Sequence, residues 1–264
     1  MRATALKLLA LLLLLPLAVP AQDWAKSRLD ASPRHREYVT LHHNGRAVQA
    51  FVVYPEVKQK VPAVILIHEI FGLTDWAKEM ADEIAAQGFI VIAPDLLSGH
   101  GPNGGGSSAF SSMDATTEAV SGLDPNAVNA DLDAAADYVK KIPSSNGKLA
   151  VTGYCWGGGK SFAFATHRHD LSAAFVFYGP PPSDLAAITA PVYGFYAGND
   201  ARTTSTVPET KKSMQSAHKT YDPVVYDGAG HGFMRAGEAP DASPANKKAR
   251  EEGFARLIAQ LKKI

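Results

Sequence analysis

The stretch Gly153-Tyr154-Cys155-Trp156-Gly157-Gly158-Gly159 constrains this chain more than any other. Lys148 to Tyr154 reads as an apolar strand entering it, and Lys160 to His167 reads as a helix leaving it. A strand that turns straight into a helix brings backbone against backbone, and glycine has no Cβ to clash there. Such an elbow lifts one side chain into an exposed, strained position. Here that side chain is Cys155, at a helix N-terminus where backbone N–H groups and the helix dipole favour a thiolate. Taken alone, the segment also fits a buried structural cysteine beside a glycine-rich turn.

The rest of the chain supplies a sheet for this elbow. Glu37 to Leu41 and Ala47 to Tyr54 read as strands around the hairpin signal His43-Asn44-Gly45-Arg46. His42 and His43 flank that turn; neighbouring strand residues face opposite ways, so both are expected on the surface. Val61 to His68 is a continuous apolar run, as in a strand buried on both faces of a parallel sheet. Thr74 to Gln87 has helical patterning closed by Gly88, and Phe89 to Pro94 is a further apolar strand. Ala127 to Ile142, Glu209 to His218 and Ala245 to Lys263 read as helices; Leu171 to Tyr178, Val192 to Ala197 and Val224 to Asp227 read as strands. This alternation implies a mostly parallel central sheet with helices on both faces, in one domain over residues 37–264.

Ser98 to Asn126 is rich in Gly and Ser and is expected to form a long irregular loop of the lid type. No Lys or Arg occurs between Lys78 and Lys140, so this loop brings no positive charge to a pocket. Residues 22–36 are polar and mixed and read as a loosely ordered leader. Before them, Arg2 and Lys7 precede the apolar run Leu8 to Val19, and Ala21 closes a secretory signal-peptide pattern over residues 1–21. The run is shorter than the roughly 20 residues of a membrane span. The expectation is a periplasmic or secreted protein with no stable membrane anchor after cleavage. A formal net charge of +0 points to no nucleic-acid partner, and the expected state is a monomer. With one cysteine there is no internal disulfide, and a lone thiol in an oxidising compartment persists where it is shielded or useful.

Three residues follow three different strands in the order Cys155, Asp200, His231. Read singly, Asp200 is a turn carboxylate and His231 a loop histidine. Together they follow the nucleophile–acid–histidine order of the α/β-hydrolase triad, each just beyond a strand's C-terminal end, where open parallel sheets bind ligands. In that arrangement His231 accepts the thiol proton, Asp200 orients His231, and the sulfur attacks an ester or lactone carbonyl. The backbone N–H groups of Trp156 and Ile70 are the candidate oxyanion donors. His167-Arg168-His169, at the end of the elbow helix, is expected to cap carbonyls or face water, with no metal bound.

The motifs His68-Glu69-Ile70-Phe71-Gly72, Gly153-Tyr154-Cys155-Trp156-Gly157-Gly158, Gly198-Asn199-Asp200 and Gly230-His231-Gly232-Phe233 make the chain resemble the dienelactone hydrolase family. The resemblance spans roughly Tyr38 to Leu261 and implies an α/β-hydrolase fold, cofactor-free ester or lactone hydrolysis and a small-molecule substrate. It also implies that Glu69 contacts the resting thiol and moves when substrate binds, which would protect the sulfur from oxidation until it is needed. Arg235 matches one arginine that the family uses to hold a substrate carboxylate. The other falls in Ser98–Asn126, where this chain has no basic residue, which puts dienelactone itself in doubt as substrate. Arg202 is a second candidate for that role, and Phe71 and Trp156 for an apolar wall; Tyr154 reads equally as wall or core. Thioester or amide acyl transfer, and a non-catalytic binding protein on the same shell, are the alternatives.

Overall fold

A computed structural model of the protein describes residues 23–264; residues 1–21, expected from the sequence to be a signal peptide, lie outside them. In chain order the elements are α1 (Asp23–Ala31), β1 (Arg36–His43), β2 (Arg46–Val53), β3 (Val61–Ile67), α2 (Asp75–Ala86), β4 (Ile90–Pro94), α3 (Met113–Ser121) and α4 (Pro125–Lys141). They continue with β5 (Ser145–Tyr154), α5 (Trp156–His167), β6 (Ala173–Phe177), β7 (Val192–Ala197), α6 (Ala201–Thr204), α7 (Val207–Ser216), β8 (Tyr221–Tyr226), α8 (Phe233–Ala236) and α9 (Pro244–Leu261). The eight strands form one sheet in the order β1-β2-β4-β3-β5-β6-β7-β8. The β1–β2 and β2–β4 pairs are antiparallel and every later pair is parallel.

Because successive strand residues face opposite sides, β3 sends Val64 and Leu66 into one core and Ala63, Ile65 and Ile67 into the other. The first core lies under α1, α2 and α9, the second under α3, α4, α5 and α7. That double burial explains why these strands read as unbroken apolar runs. The chain leaves β3 for β4 on one side, then returns to β5 on the other. The C-terminal ends of β3 and β5 therefore border the crevice at the strand-order reversal, where such sheets take ligands.

Three expectations change here. Residues 23–31 are a helix rather than a loose leader, because Ala25 and Leu29 bury against the first core and Arg34 and Ser32 both bond Asp82 on α2. The segment 98–126 is ordered. Asp95, past β4, accepts from Ser107 N–H at 2.8 Å, Ser107 Oγ at 2.6 Å and Leu97 N–H at 3.1 Å, and Ser112 caps α3. His42 is exposed as expected, but His43 turns inward: its Nε2 lies 2.6 Å from the buried Asp131 carboxylate on α4, which Arg46 also holds. The reversal at Asn44-Gly45, both with positive φ, is the hairpin turn the sequence signals.

Between α1, α2 and α9 lies a buried charge nest. Glu79 and Glu83 of α2 and Glu238 after α8 place carboxylate oxygens within 4.8 Å of one another. Arg28 of α1 reaches Glu238 at 3.2 Å, and Arg250 of α9 bonds Glu238 at 2.7 Å and also Glu83. Burial, with Glu238 and Glu83 alongside, pushes Glu79 up to about 9. The folded chain thus keeps a proton that the unfolded chain releases near its ordinary value of 4.5. The stabilisation is complete below that value and is lost as pH rises through the window up to about 9. Glu79→Gln is expected to flatten this alkaline loss, raising the thermal midpoint by on the order of 5 °C at pH 8.5 and little at pH 5. Parallel pH–melting curves for the two proteins would reject this if they kept the same slope.

Candidate active site

The elbow forms because β5 runs into α5 with only Cys155 between them, at φ 58° and ψ −116°. A side-chain-bearing residue held there costs on the order of 1–3 kcal/mol and persists only where its surroundings dictate it. They do: Cys155 N–H donates to Phe177 O at 3.1 Å, which ties the turn to β6. A Cβ on Gly157 would stand 2.4 Å from the backbone oxygens of Ile67 and His68, so the helix start packs directly on the end of β3.

Asp200 follows β7 and His231 follows β8, and the parallel register brings both to the elbow. His231 Nε2 lies 3.1 Å from Cys155 Sγ, and its Nδ1 lies 2.6 Å from Asp200 Oδ2. Burial raises the Asp200 carboxyl, but bonds from the Thr203 hydroxyl and His231 outweigh it and hold the group below its ordinary value. Asp200 is therefore a carboxylate that orients one ring nitrogen and leaves the other facing sulfur. The sulfur also receives the backbone N–H groups of Trp156 and Ile70. The two backbone donors expected from the sequence thus converge on the Cys155 sulfur.

Glu69, 3% exposed, lies beyond β3; its Oε2 accepts from Arg235 Nε at 2.7 Å. Burial raises the Glu69 pKa, with Arg235 opposing. For Cys155, burial and then the charge of Glu69 raise the thiol pKa, against the lowering effect of the two N–H groups and Arg202. The net shift is upward, which favours the thiol over the thiolate. Glu69→Gln is expected to lower the thiol pKa and speed alkylation by iodoacetamide at pH 7 several-fold, about threefold or more. A pH–rate profile unchanged from the parent would disconnect Glu69 from the sulfur.

The remaining candidates divide. Arg235 is engaged with Glu69 and stacks over Phe71 at 5.1 Å, so it is not a free anchor in this arrangement. Arg202 places Nη2 3.5 Å from His231 Nδ1, beside the His–Asp pair. The Trp156 indole is half-buried, stacked on His68 at 5.6 Å with Lys160 over it at 5.1 Å. Tyr154 is core: fully buried, stacked on Phe177 and edge-on to Trp76. His167 and Arg168 do not cap the helix with their side chains; they pair with Asp133 of α4, and Arg168 also with Asp137 and Asp170. Sequence reading overlooked Tyr178, whose ring meets His231 edge-on at 5.0 Å.

A mostly parallel sheet, an elbow at one strand end and an imidazole between a thiol and a carboxylate at the same rim place the protein among the α/β-hydrolases. The family model described as the dienelactone hydrolase family matches residues 48–264. A candidate carboxymethylenebutenolidase of Methylorubrum extorquens is 30% identical over 200 residues, 70% of this chain and 68% of that protein. Another, from Yersinia pestis, is 29% identical over 85% of this chain and 86% of its own length. Among solved structures, a candidate dienelactone hydrolase from Klebsiella pneumoniae superposes with TM-score 0.76 at 23% identity, covering 88% of this chain and 99% of that one. A dienelactone hydrolase-like promiscuous phosphotriesterase from metagenomic libraries superposes with TM-score 0.72 at 20% identity, over 87% and 98% of the two chains. The chain belongs to the dienelactone hydrolase family and is an ester or lactone hydrolase.

Proposed function

We propose that the protein is an exported hydrolase of carboxylic esters or lactones that works through a covalent intermediate on Cys155. The observation that carries this reading is the short path from Sγ through the His231 ring to Asp200, 3.1 Å on one side and 2.6 Å on the other. His231 Nε2 takes the thiol proton as Sγ bonds to the carbonyl carbon. The oxyanion accepts from the N–H groups of Ile70 and Trp156, worth several kcal/mol where water is excluded. As it collapses, the carbon–oxygen bond breaks and the imidazolium gives its proton to the leaving oxygen, which stays tethered if the substrate is a lactone. Water then gives a proton to His231, adds to the thioester and breaks the carbon–sulfur bond, returning the thiol.

The relatives' carboxymethylenebutenolidase names favour a lactone. With Arg235 held by Glu69 and no basic residue in 98–126, recognition of a substrate carboxylate needs that pair to open. Export is supported by the residue pattern of positions 1–21. The test is release of an aryl alcohol from an activated aryl ester in the first turnover. A burst stoichiometric with enzyme, absent in Cys155→Ala, is expected; steady turnover surviving in that variant would remove Cys155 as nucleophile.

A further inference from the structure

His68 follows β3, is fully buried and has no part in the mechanism above. Its ring Nδ1 lies 2.7 Å from Glu69 O, and since a carbonyl only accepts, that nitrogen carries the proton. Burial lowers the pKa of the ring, outweighing the bond to Glu69 O and the charge of Asp95, which favours the neutral form. Nε2 is then a bare acceptor, and it has no hydrogen-bond partner among the described residues. An acceptor left buried and unpaired destabilises a fold. A leucine or phenylalanine would fill the space without that cost, so the Nδ1–H needs a use.

Glu69 O belongs to the same peptide unit as the Ile70 N–H, one of the two donors that meet the Cys155 sulfur. A trans peptide is planar, with its C=O and N–H pointing in opposite directions. Fixing the carbonyl therefore aims the N–H. The His68 ring also stacks on the Trp156 indole, with centroids 5.6 Å apart and planes 11° from parallel. Trp156 supplies the second donor, so one imidazole bears on both. Gly72 N–H donates to the same Glu69 O at 3.2 Å, and Leu73 N–H donates to Ser107 Oγ at 2.9 Å, which closes the turn and ties its far end. Of the two bonds on the Glu69 carbonyl, the one from His68 is the shorter.

We propose that His68 is a positioning residue that sets the oxyanion hole: its Nδ1–H clamps the carbonyl of the Glu69–Ile70 peptide, and its ring locates Trp156. The bond to the carbonyl also polarises that peptide, which strengthens its N–H as a donor. No proton leaves His68 at any stage; its ring stays neutral while His231 carries out the proton transfers. Both donors are thus aimed before the substrate oxygen becomes charged, so no reorganisation is needed when it does. The assignment deepens the reading of Cys155 as nucleophile given above and rests on it.

His68→Phe keeps a ring against Trp156 and removes the donor. Its kcat on an aryl ester is expected to fall about tenfold with KM nearly unchanged, because the lost aim matters only once the oxyanion forms. That is well short of the roughly 10²–10³-fold cost of losing a whole donor, since Gly72 N–H still holds the carbonyl. His68→Asn, whose Nδ2 hangs on Cγ as the ring Nδ1 does, is expected to bring kcat back to within about threefold of the parent. In the parent itself, nitrogen NMR of isotope-labelled histidine is expected to show His68 as the neutral Nδ1–H tautomer at neutral pH. An Nε2–H tautomer, an unaltered kcat in His68→Phe, or an equal loss in His68→Phe and His68→Asn overturns the assignment. Should either variant not fold, the tautomer decides. Failure of the nucleophile reading would show separately, as turnover retained in Cys155→Ala.

Discussion

Asp200→Asn is expected to lower kcat by about 10⁴-fold, the usual loss when the orienting carboxylate of a triad becomes an amide. The cause is tautomeric. Asp200 Oδ2 accepts from His231 Nδ1 at 2.6 Å, which leaves Nε2 as the lone-pair nitrogen facing sulfur. An amide N–H presented to Nδ1 would favour the opposite tautomer, placing a proton on Nε2 and leaving nothing to take one from Cys155. The change is isosteric, so the melting temperature should move little, and steady-state kinetics with thermal denaturation separates the two effects. A loss below tenfold would mean that another group, Arg202 being nearest at 3.5 Å, sets the ring's protonation.

The second large effect is structural. A Cβ on Gly158 would stand 2.2 Å from the backbone oxygen of Phe177, the same oxygen that accepts the Cys155 N–H. Neither backbone can yield without parting α5 from β6, because the two run in contact there: a Cβ on Gly179 would in turn stand 2.1 Å from the Gly159 nitrogen and 2.2 Å from the Gly158 carbonyl carbon. Gly158→Ala is expected to cost about 3–5 kcal/mol, in the range of severe overpacking. At roughly 2–4 °C per kcal/mol for a domain of this size, the midpoint would fall by about 6–20 °C. Activity should vanish with it, since the strained Cys155 conformation depends on that junction. A variant that melts like the parent would show that the elbow has slack which the packing denies.

What could be read beforehand follows from how local each feature is. The strands β3 and β4 and the second half of β5 are plain in the sequence because burial on both faces keeps nearly every residue there apolar, whatever its direction. The elbow and the order Cys155, Asp200, His231 were plain because small residues and chain order are written in one dimension. The helix α1 was not, since only Ala25 and Leu29 of its nine residues are buried and its anchors, Asp82 and Glu238, are distant in the chain. The helix α3 hid in a Gly/Ser-rich stretch whose order comes from Asp95; its one local signal is the cap at Ser112. His43 looked like a surface residue because its partner, Asp131, lies on α4. The pairing of Arg235 with Glu69 joins α8, after β8, to the end of β3, two segments distant in the chain that no motif links.

The central claim is that a substrate acyl group passes through the sulfur of Cys155. Acid quenching during turnover of a slowly released aryl ester, followed by peptide mass analysis, tests it most directly. The account predicts an acyl mass increment on the peptide containing Cys155 in the parent, and none on the corresponding peptide of Cys155→Ala. An unmodified Cys155 peptide in an enzyme that turns over, together with an increment on any other residue, would contradict it.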